Sequence, residues 1–255
     1  MVMTRNELKD FLDAKVLQYN TVDFIEPDPI SVAHRYSLKE DIEIAGFLAS
    51  AIAWGNRKMI TKNGHRMMDL LGNSPYDFVM SHDEYQLERL QGFVHRTFNS
   101  VDFEHFIKAL QHIYANKGGL EAIFIENQTE TSLQPAIHAL HKVFFEIPHP
   151  DRTKKHVADP DKGSVAKRIN MMLRWFCRRD PAGVDLGIWD ISPSKLSCPL
   201  DVHSGNVARK LGLLTRKQND VKALKELDNS LRILDPNDPV KYDFALFGLG
   251  IFEGF

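Results

Sequence analysis

Apolar positions recur at helical spacing along almost the whole chain. Thr4-x-x-Glu7 has the form of a capping box, and Leu8, Phe11, Leu12 and Val16 follow it on one face. Ser37-x-x-Glu40 repeats that pattern ahead of Ile42, Ala45, Leu48 and Ile52, with a stop near Gly55. Met59, Ile60, Met67 and Leu71 predict a helix closed by Gly72. Ser74-Pro75 has the order of an N-cap and first helical residue. Further helices are expected from Ser100 (Val101, Phe106, Ile107, Leu110, Ile113) and from Ser132 (Leu133, Ile137, Leu140, Phe144).

The pattern then breaks. Residues 147–161 carry Pro148, Pro150 and Pro160 and little that is apolar, which reads as a loop or a lobe boundary. Ser164 is expected to cap a helix with Val165, Ile169, Met172, Leu173 and Phe176. Residues 178–199, with Pro181, Gly183, Gly187, Pro193 and Pro199, read as irregular. A short helix is expected over 203–211, ending at Gly212. Asn219 or Asp220 caps the next, and Asp238-Pro239 opens the last. Strand signals are nearly absent, and no repeat of fixed period appears. The fold class expected is all-α, with roughly ten to twelve helices.

Composition narrows the function classes. The chain has 255 residues, 43% hydrophobic and 26% charged, which suits a packed globular protein and excludes a fibre or a disordered chain. The longest apolar stretch, 45–54, contains Gly46 and Ser50 and falls short of the ~20 residues of a membrane span, so no membrane partner is expected. Met1-Val2-Met3-Thr4-Arg5-Asn6-Glu7 lacks the apolar core of a signal peptide. Only Cys177 and Cys198 are present, which excludes a disulfide scaffold or a four-cysteine metal site. A reduced, cytoplasmic setting is the expectation. There is no phosphate-binding P-loop, no dinucleotide fingerprint and no nucleophile elbow. His138 and His141 share a helical face without a carboxylate at helical spacing and read as polar surface.

Charge is where the sequence becomes specific. The net charge is −2, but residues 152–217 hold 14 Lys and Arg against 6 Asp and no Glu, while the rest of the chain is acidic. Such an excess is either a solvated face or a phosphate-facing surface. Within it lie Gly163-Ser164-Val165-Ala166-Lys167-Arg168-Ile169-Asn170 and the stretch from Pro199-Leu200-Asp201-Val202-His203 to Gly212. Lys167 falls in the first turn of a helix, beside Arg168, where outward-pointing N–H groups disfavour a cation. A lysine in that setting is a candidate nucleophile. Asp201 directly precedes a helix and is either an N-cap or a positioned anion. Thirty-four residues separate the two, so spacing leaves open whether they meet.

Leu200-Asp201-Val202-His203, followed by Val207-Ala208-Arg209-Lys210-Leu211-Gly212, resembles the V-D-T-H-V-x-R-V-x-x-R-L-G stretch of the helix-hairpin-helix DNA glycosylase superfamily, the endonuclease III-like proteins. Residues 163–170 are similar to that family's hairpin and following helix, with Lys167 at the position of the lysine nucleophile. Phe47-Leu48-Ala49-Ser50-Ala51-Ile52 resembles the family's early F-x-x-L-(L/A)-S-x-Q helix, and Tyr242-Asp243-Phe244-Ala245-Leu246-Phe247-Gly248 resembles its closing segment. Together these span most of 40–250, and Lys167-Arg168-Ile169-Asn170-Met171 adds a likeness to a bacterial branch of the superfamily.

The resemblance implies a two-lobed helical fold with a cleft between lobes, approximately 1–36 plus 147–255 and 37–146. It implies duplex DNA with a damaged base as partner, RNA being the alternative, and no metal or organic cofactor. Lys167 would be the Schiff-base nucleophile and Asp201 the electrostatic or basic partner. Lys162, Gly163, Arg168, His203, Arg209 and Lys210 would meet the nucleic acid. Ile52 stands where the family has a glutamine that fills the space of an extruded base, and Trp54, Phe244 and Phe247 are further candidates for base pocket or wedge. The hairpin L-P-G-V-G is here Asp161-Lys162-Gly163-Ser164-Val165, retaining only the glycine, and the family's four-cysteine cluster is missing. Two other functions stay open: a nucleic-acid-binding protein that keeps the scaffold without catalysis, and an enzyme acting on a small nucleoside-like substrate. Nothing in the sequence speaks to oligomeric state.

Overall fold

The computed structural model describes residues 3–255; Met1 and Val2, at the head of the amino-terminal stretch read above, lie outside them. The described residues form an all-α fold. Its helices are α1 (Arg5–Tyr19), α2 (Lys39–Ala51), α3 (Arg57–Leu70), α4 (Pro75–Ser81), α5 (Glu84–Glu88), α6 (Ser100–Asn116), α7 (Leu120–Asn127), α8 (Gln134–Phe144), α9 (Lys167–Cys177), α10 (Val202–Lys210), α11 (Val221–Leu234) and α12 (Tyr242–Phe252). A two-residue hairpin, β1 (Val94–His95) with β2 (Phe98–Asn99), pairs antiparallel and sets His95 opposite Phe98. No helix among the described residues is long and apolar enough to cross a membrane.

The caps show where local signals hold and where packing replaces them. Thr4 and Glu7 form the expected box at α1. At α6 the cap is Asn99, one residue before the expected Ser100, with its side chain on the N–H groups of Val101 and Asp102. At α2 the Ser37 box does not form. Leu38 occupies the cap without a side-chain bond, and every residue from Ile42 to Ala51 is buried, so tertiary packing holds this helix rather than its terminus. Ser164 does not cap α9 either. Its Oγ accepts the N–H of Ala166 at 3.2 Å, and the helix begins one residue later, at Lys167.

The chain divides into two compact units. Among the described residues one comprises 3–24, 129–134 and 160–255, the other 25–128 and 135–159. These joints differ from the expected lobe boundaries in the placing of 25–36, 129–134 and 147–159. The core of the first unit gathers Leu12 of α1, Val207 and Ala208 of α10, Leu224, Leu227 and Leu231 of α11, and Tyr242, Leu246 and Leu249 of α12. The second is centred on aromatic rings: Phe106 lies 4.7 Å from Phe144 and 5.2 Å from Phe98, edge-on in both pairs, and 5.7 Å from Phe47 in a stack. In this second unit His138 Nδ1 meets Asp159 Oδ1 at 2.8 Å, a carboxylate brought from 21 residues away rather than from the same helix.

Candidate functional site

Two irregular segments of the first unit deliver the two expected residues. The turn after Pro160 ends at Gly163, whose φ of +84° is a left-handed conformation that suits glycine. Ala166 follows with φ +46°, ψ +38°, also left-handed but with a side chain, so the backbone stores of order 1–2 kcal/mol just before Lys167. The buried Asn170 holds this turn. Its Nδ2 donates to Val165 O at 2.9 Å, and its Oδ1 accepts from Gln134 Nε2 at 3.0 Å. Lys167 is thereby the first residue of α9, nearer the helix terminus than a cap at Ser164 would have placed it.

Asp201 arrives at the start of α10 and has two jobs. Its Oδ1 accepts the Ser204 N–H at 2.9 Å, while Ser204 Oγ accepts the Asp201 N–H at 2.9 Å, completing a capping box. Its Oδ2 accepts from Lys167 Nζ at 2.7 Å. Cap and positioned anion are thus one residue using two oxygens. The pair is partly open: the Lys167 side chain is 37% exposed and that of Asp201 20%. Burial pushes the Asp201 carboxyl up, but the Lys167 charge and hydrogen bond, the Ser204 N–H and the charge of His203 outweigh it, and its pKa lies below the ordinary aspartate value. Asp201 is therefore an anion at neutral pH.

Behind the pair sits a buried polar layer. Cys198 Sγ lies 3.9 Å from Asp243 Oδ1, and Asp243 Oδ2 accepts from Arg174 Nη1 at 2.5 Å. Burial, then the charge of Asp201, raises the Asp243 carboxyl; Arg174 and Lys167 oppose the rise without cancelling it. Burial and the surrounding carboxylates push the Cys198 thiol far above its usual range, so it is no nucleophile. Asp228 of α11 accepts the Cys198 N–H at 2.9 Å and also a Ser197 hydrogen bond, fixing the approach to Asp201. Full burial lifts its carboxyl to about 6.

That lift sets a pH dependence. The folded value lies above the unfolded ~3.9, so this group's stabilisation is complete below about pH 4 and lost as pH rises through about 6. Asn in its place keeps an acceptor for Cys198 without the charge. Asp228→Asn is expected to melt higher than the parent above pH 7, by on the order of 2–3 kcal/mol, with the gap closing toward pH 4. Thermal melts from pH 4 to 8 check it; parallel curves would refute the buried, proton-binding carboxyl.

The other expected site residues divide. Lys162, Gly163, His203 and Lys210 are exposed on the same unit. Arg168 is half-buried, and burial lowers its guanidinium to about 10, still a cation at neutral pH. Arg209 is turned inward: its Nε donates to Arg216 O at 2.8 Å and its Nη2 to Asn219 Oδ1 at 2.5 Å, so it braces a loop instead of facing solvent. Ile52 (0% exposed) and Phe244 (1%) are core residues with no face open to a base. Phe244 lies under Arg174, 4.2 Å from the guanidinium to the ring centre, and edge-on to Phe24. Phe247 is half-buried and edge-on to Phe24 and Phe252. Trp54, in the second unit, stacks on His156 and meets His95 edge-on. Sequence reasoning missed Asn170, Ser204 and Asn219. The D-x-x-S spacing was a readable signal for Ser204; the other two act through contacts across the fold.

No group of three or more His, Cys, Asp or Glu among the described residues could hold a metal. Fold and site together define an all-helical protein with a lysine–aspartate pair where two helices begin. The chain belongs to the family described as "Protein of unknown function (DUF2400)", whose model matches residues 28–252. No curated protein and no solved structure matches it.

Proposed function

We propose that this protein is a DNA base-excision glycosylase with abasic-site lyase activity, Lys167 and Asp201 carrying the chemistry. The observation that supports this reading is the 2.7 Å contact of Lys167 Nζ with Asp201 Oδ2 across 34 residues of sequence, at a partly open surface. Asp201, ionised, stabilises the positive charge that develops on the sugar as the base departs. It also relays the proton of Lys167 to the departing base and so returns to the anion, while the freed amine attacks the anomeric carbon. The carbon–nitrogen bond to lysine forms as the bond to the base breaks, and the departing base takes up a proton. The sugar then opens to a Schiff base, and loss of a proton from the neighbouring carbon expels the 3′ phosphate. Extruding a damaged nucleotide costs less than extruding a paired one, which favours lesions as substrates. Lys162, His203 and Lys210, exposed on the same unit, supply phosphate contacts, and binding weakens with salt.

Borohydride reduction in the presence of abasic-site duplex should trap a covalent protein–DNA adduct, and Lys167→Ala should lose it. Absence of an adduct and of released base across oxidised, alkylated and deaminated lesions would remove the proposal. A second reading is a nucleic-acid-binding protein without catalysis, favoured by the use of one Asp201 oxygen as a helix cap. It predicts salt-dependent DNA affinity that Lys167→Ala reduces only by one phosphate contact.

A further inference from the structure

Asn219 stands in the loop between α10 and α11, 18 residues beyond Asp201, yet its Nδ2 donates to the Asp201 carbonyl oxygen at 2.7 Å. That oxygen also accepts the first helical bond of α10, from Gly205 N at 3.0 Å, so both of its lone pairs are engaged. Asn219 is oriented in turn. Its Oδ1 accepts from Arg209 Nη2 at 2.5 Å, and Arg209 Nε is anchored on Arg216 O at 2.8 Å. The next residue, Asp220, caps α11, which fixes the far end of the loop.

Gly205 gives an independent sign of this arrangement. It lies inside α10 with ordinary helical geometry, where glycine weakens a helix relative to alanine. A Cβ there would lie 2.8 Å from Asn219 Oδ1, 3.0 Å from Asn219 Nδ2 and 2.9 Å from Arg209 Nη1. The missing side chain is the space through which Asn219 and Arg209 reach the start of the helix.

Resting on the function proposed above, we infer that Asn219 is a positioning residue. With Arg209 and through the gap at Gly205, it clamps the Asp201 backbone so that Oδ2 stays on Lys167. Arg209 thus serves the site from behind. Loss of the clamp lets α10 fray at its first turn and the carboxylate drift. Drift of about 1 Å at a reacting group costs up to roughly a hundredfold in rate.

The test uses the full chain as Asn219→Ala, Gly205→Ala and the double variant. Gly205→Ala displaces the ends of two side chains while improving helix propensity, so it perturbs the clamp by a route independent of removing Asn219. Carbon-detected NMR titration of the Asp201 carboxyl, and single-turnover base release from lesion duplex, are measured on each. The inference expects the Asp201 titration to move up toward the ordinary aspartate range in both single variants. It expects base release to slow about ten- to a hundredfold at unchanged DNA affinity, with the double variant no worse than either single. Titrations superimposable on the parent overturn it, as do moved titrations with rates within about twofold of the parent. If the parent itself releases no base, the glycosylase reading fails, and the titration alone still decides whether Asn219 holds Asp201.

Discussion

Asp201→Asn is expected to stop base release, slowing it by at least about a hundredfold, while leaving the fold in place. The two oxygens of Asp201 separate the effects. Asn is as good an N-cap as Asp, so its Oδ1 still accepts the Ser204 N–H. The charge on the Lys167 side is lost, and with it the anion opposite the developing positive sugar, an electrostatic contribution typically worth a hundredfold or more. The ion pair itself is partly exposed and contributes about 1 kcal/mol at most, so the melting temperature should fall by only a few degrees. Asp201→Ala removes cap and charge together and should cost about a further 1 kcal/mol. A loss of stability in Asp201→Asn with base release intact would reduce the residue to a cap. The pH profile follows from the same geometry. The folded pKa of Asp201 is depressed, so the stabilisation it contributes is present above the unfolded ~3.9 and disappears as pH falls through the folded value. The acid limb of base release should therefore extend below the ordinary carboxylate range.

Arg174→Met is expected to destabilise the protein by about 3–5 kcal/mol, a large part of the roughly 5–15 kcal/mol that holds a typical domain. Arg174 is buried on the inner side of α9, with Nε 3.2 Å from Asp185 Oδ1 and Nη1 2.5 Å from Asp243 Oδ2. Arg178, one turn on, pairs with Asp185 and with Asp238, its Nε 2.8 Å from Asp238 Oδ1. Burial already raises the carboxyls of Asp185 and Asp243 against the pull of these guanidinium groups. Without Arg174, Asp243 loses its ion partner and Asp185 one of two. Lys cannot replace it, because a point charge does not span both carboxylates as the planar fork does. With both folded carboxyls raised further, stability in Arg174→Met should fall as pH rises, and Asp185→Asn with Asp243→Asn should restore part of it. Denaturant unfolding at pH 5 and pH 8 measures this; a loss under 1 kcal/mol at both would mean that the network is dispensable.

Much of the fold was legible because helix formation is largely local. Apolar spacing, or a cap or stop signal, marked most helices, but α5 and α7 had no such reading. Ser-Pro marked the start of α4, whereas Asp238-Pro239 opened a short 3-10 turn (Pro239–Lys241) ahead of α12 rather than the helix itself. Glycine with positive φ marked ends, as Gly72 and Gly212 do. Local signals failed where a competing contact was stronger. Ser37 gave way to burial of α2, and Ser164 turned to bond Ala166, delaying α9 until Lys167. Among site residues, Ile52 and Phe244 were read as candidate base contacts because aliphatic and aromatic side chains suit pockets and cores alike. Sequence gives no depth, and depth assigned both to the core.

The chain by itself determined an all-helical protein with a basic middle segment and placed Lys167 and Asp201 at helix starts; it was the resemblance to the glycosylase motifs that made them candidates. Helices and their starts follow from neighbours within a turn or two. Whether the amine and carboxylate touch, that Arg209 faces inward, and that Asn219 grips Asp201 through the gap at Gly205 were decided only by the tertiary structure. These contacts join residues 10 to 34 positions apart in the chain, and only the packing of α9, α10 and the loops between helices brings them within hydrogen-bonding distance.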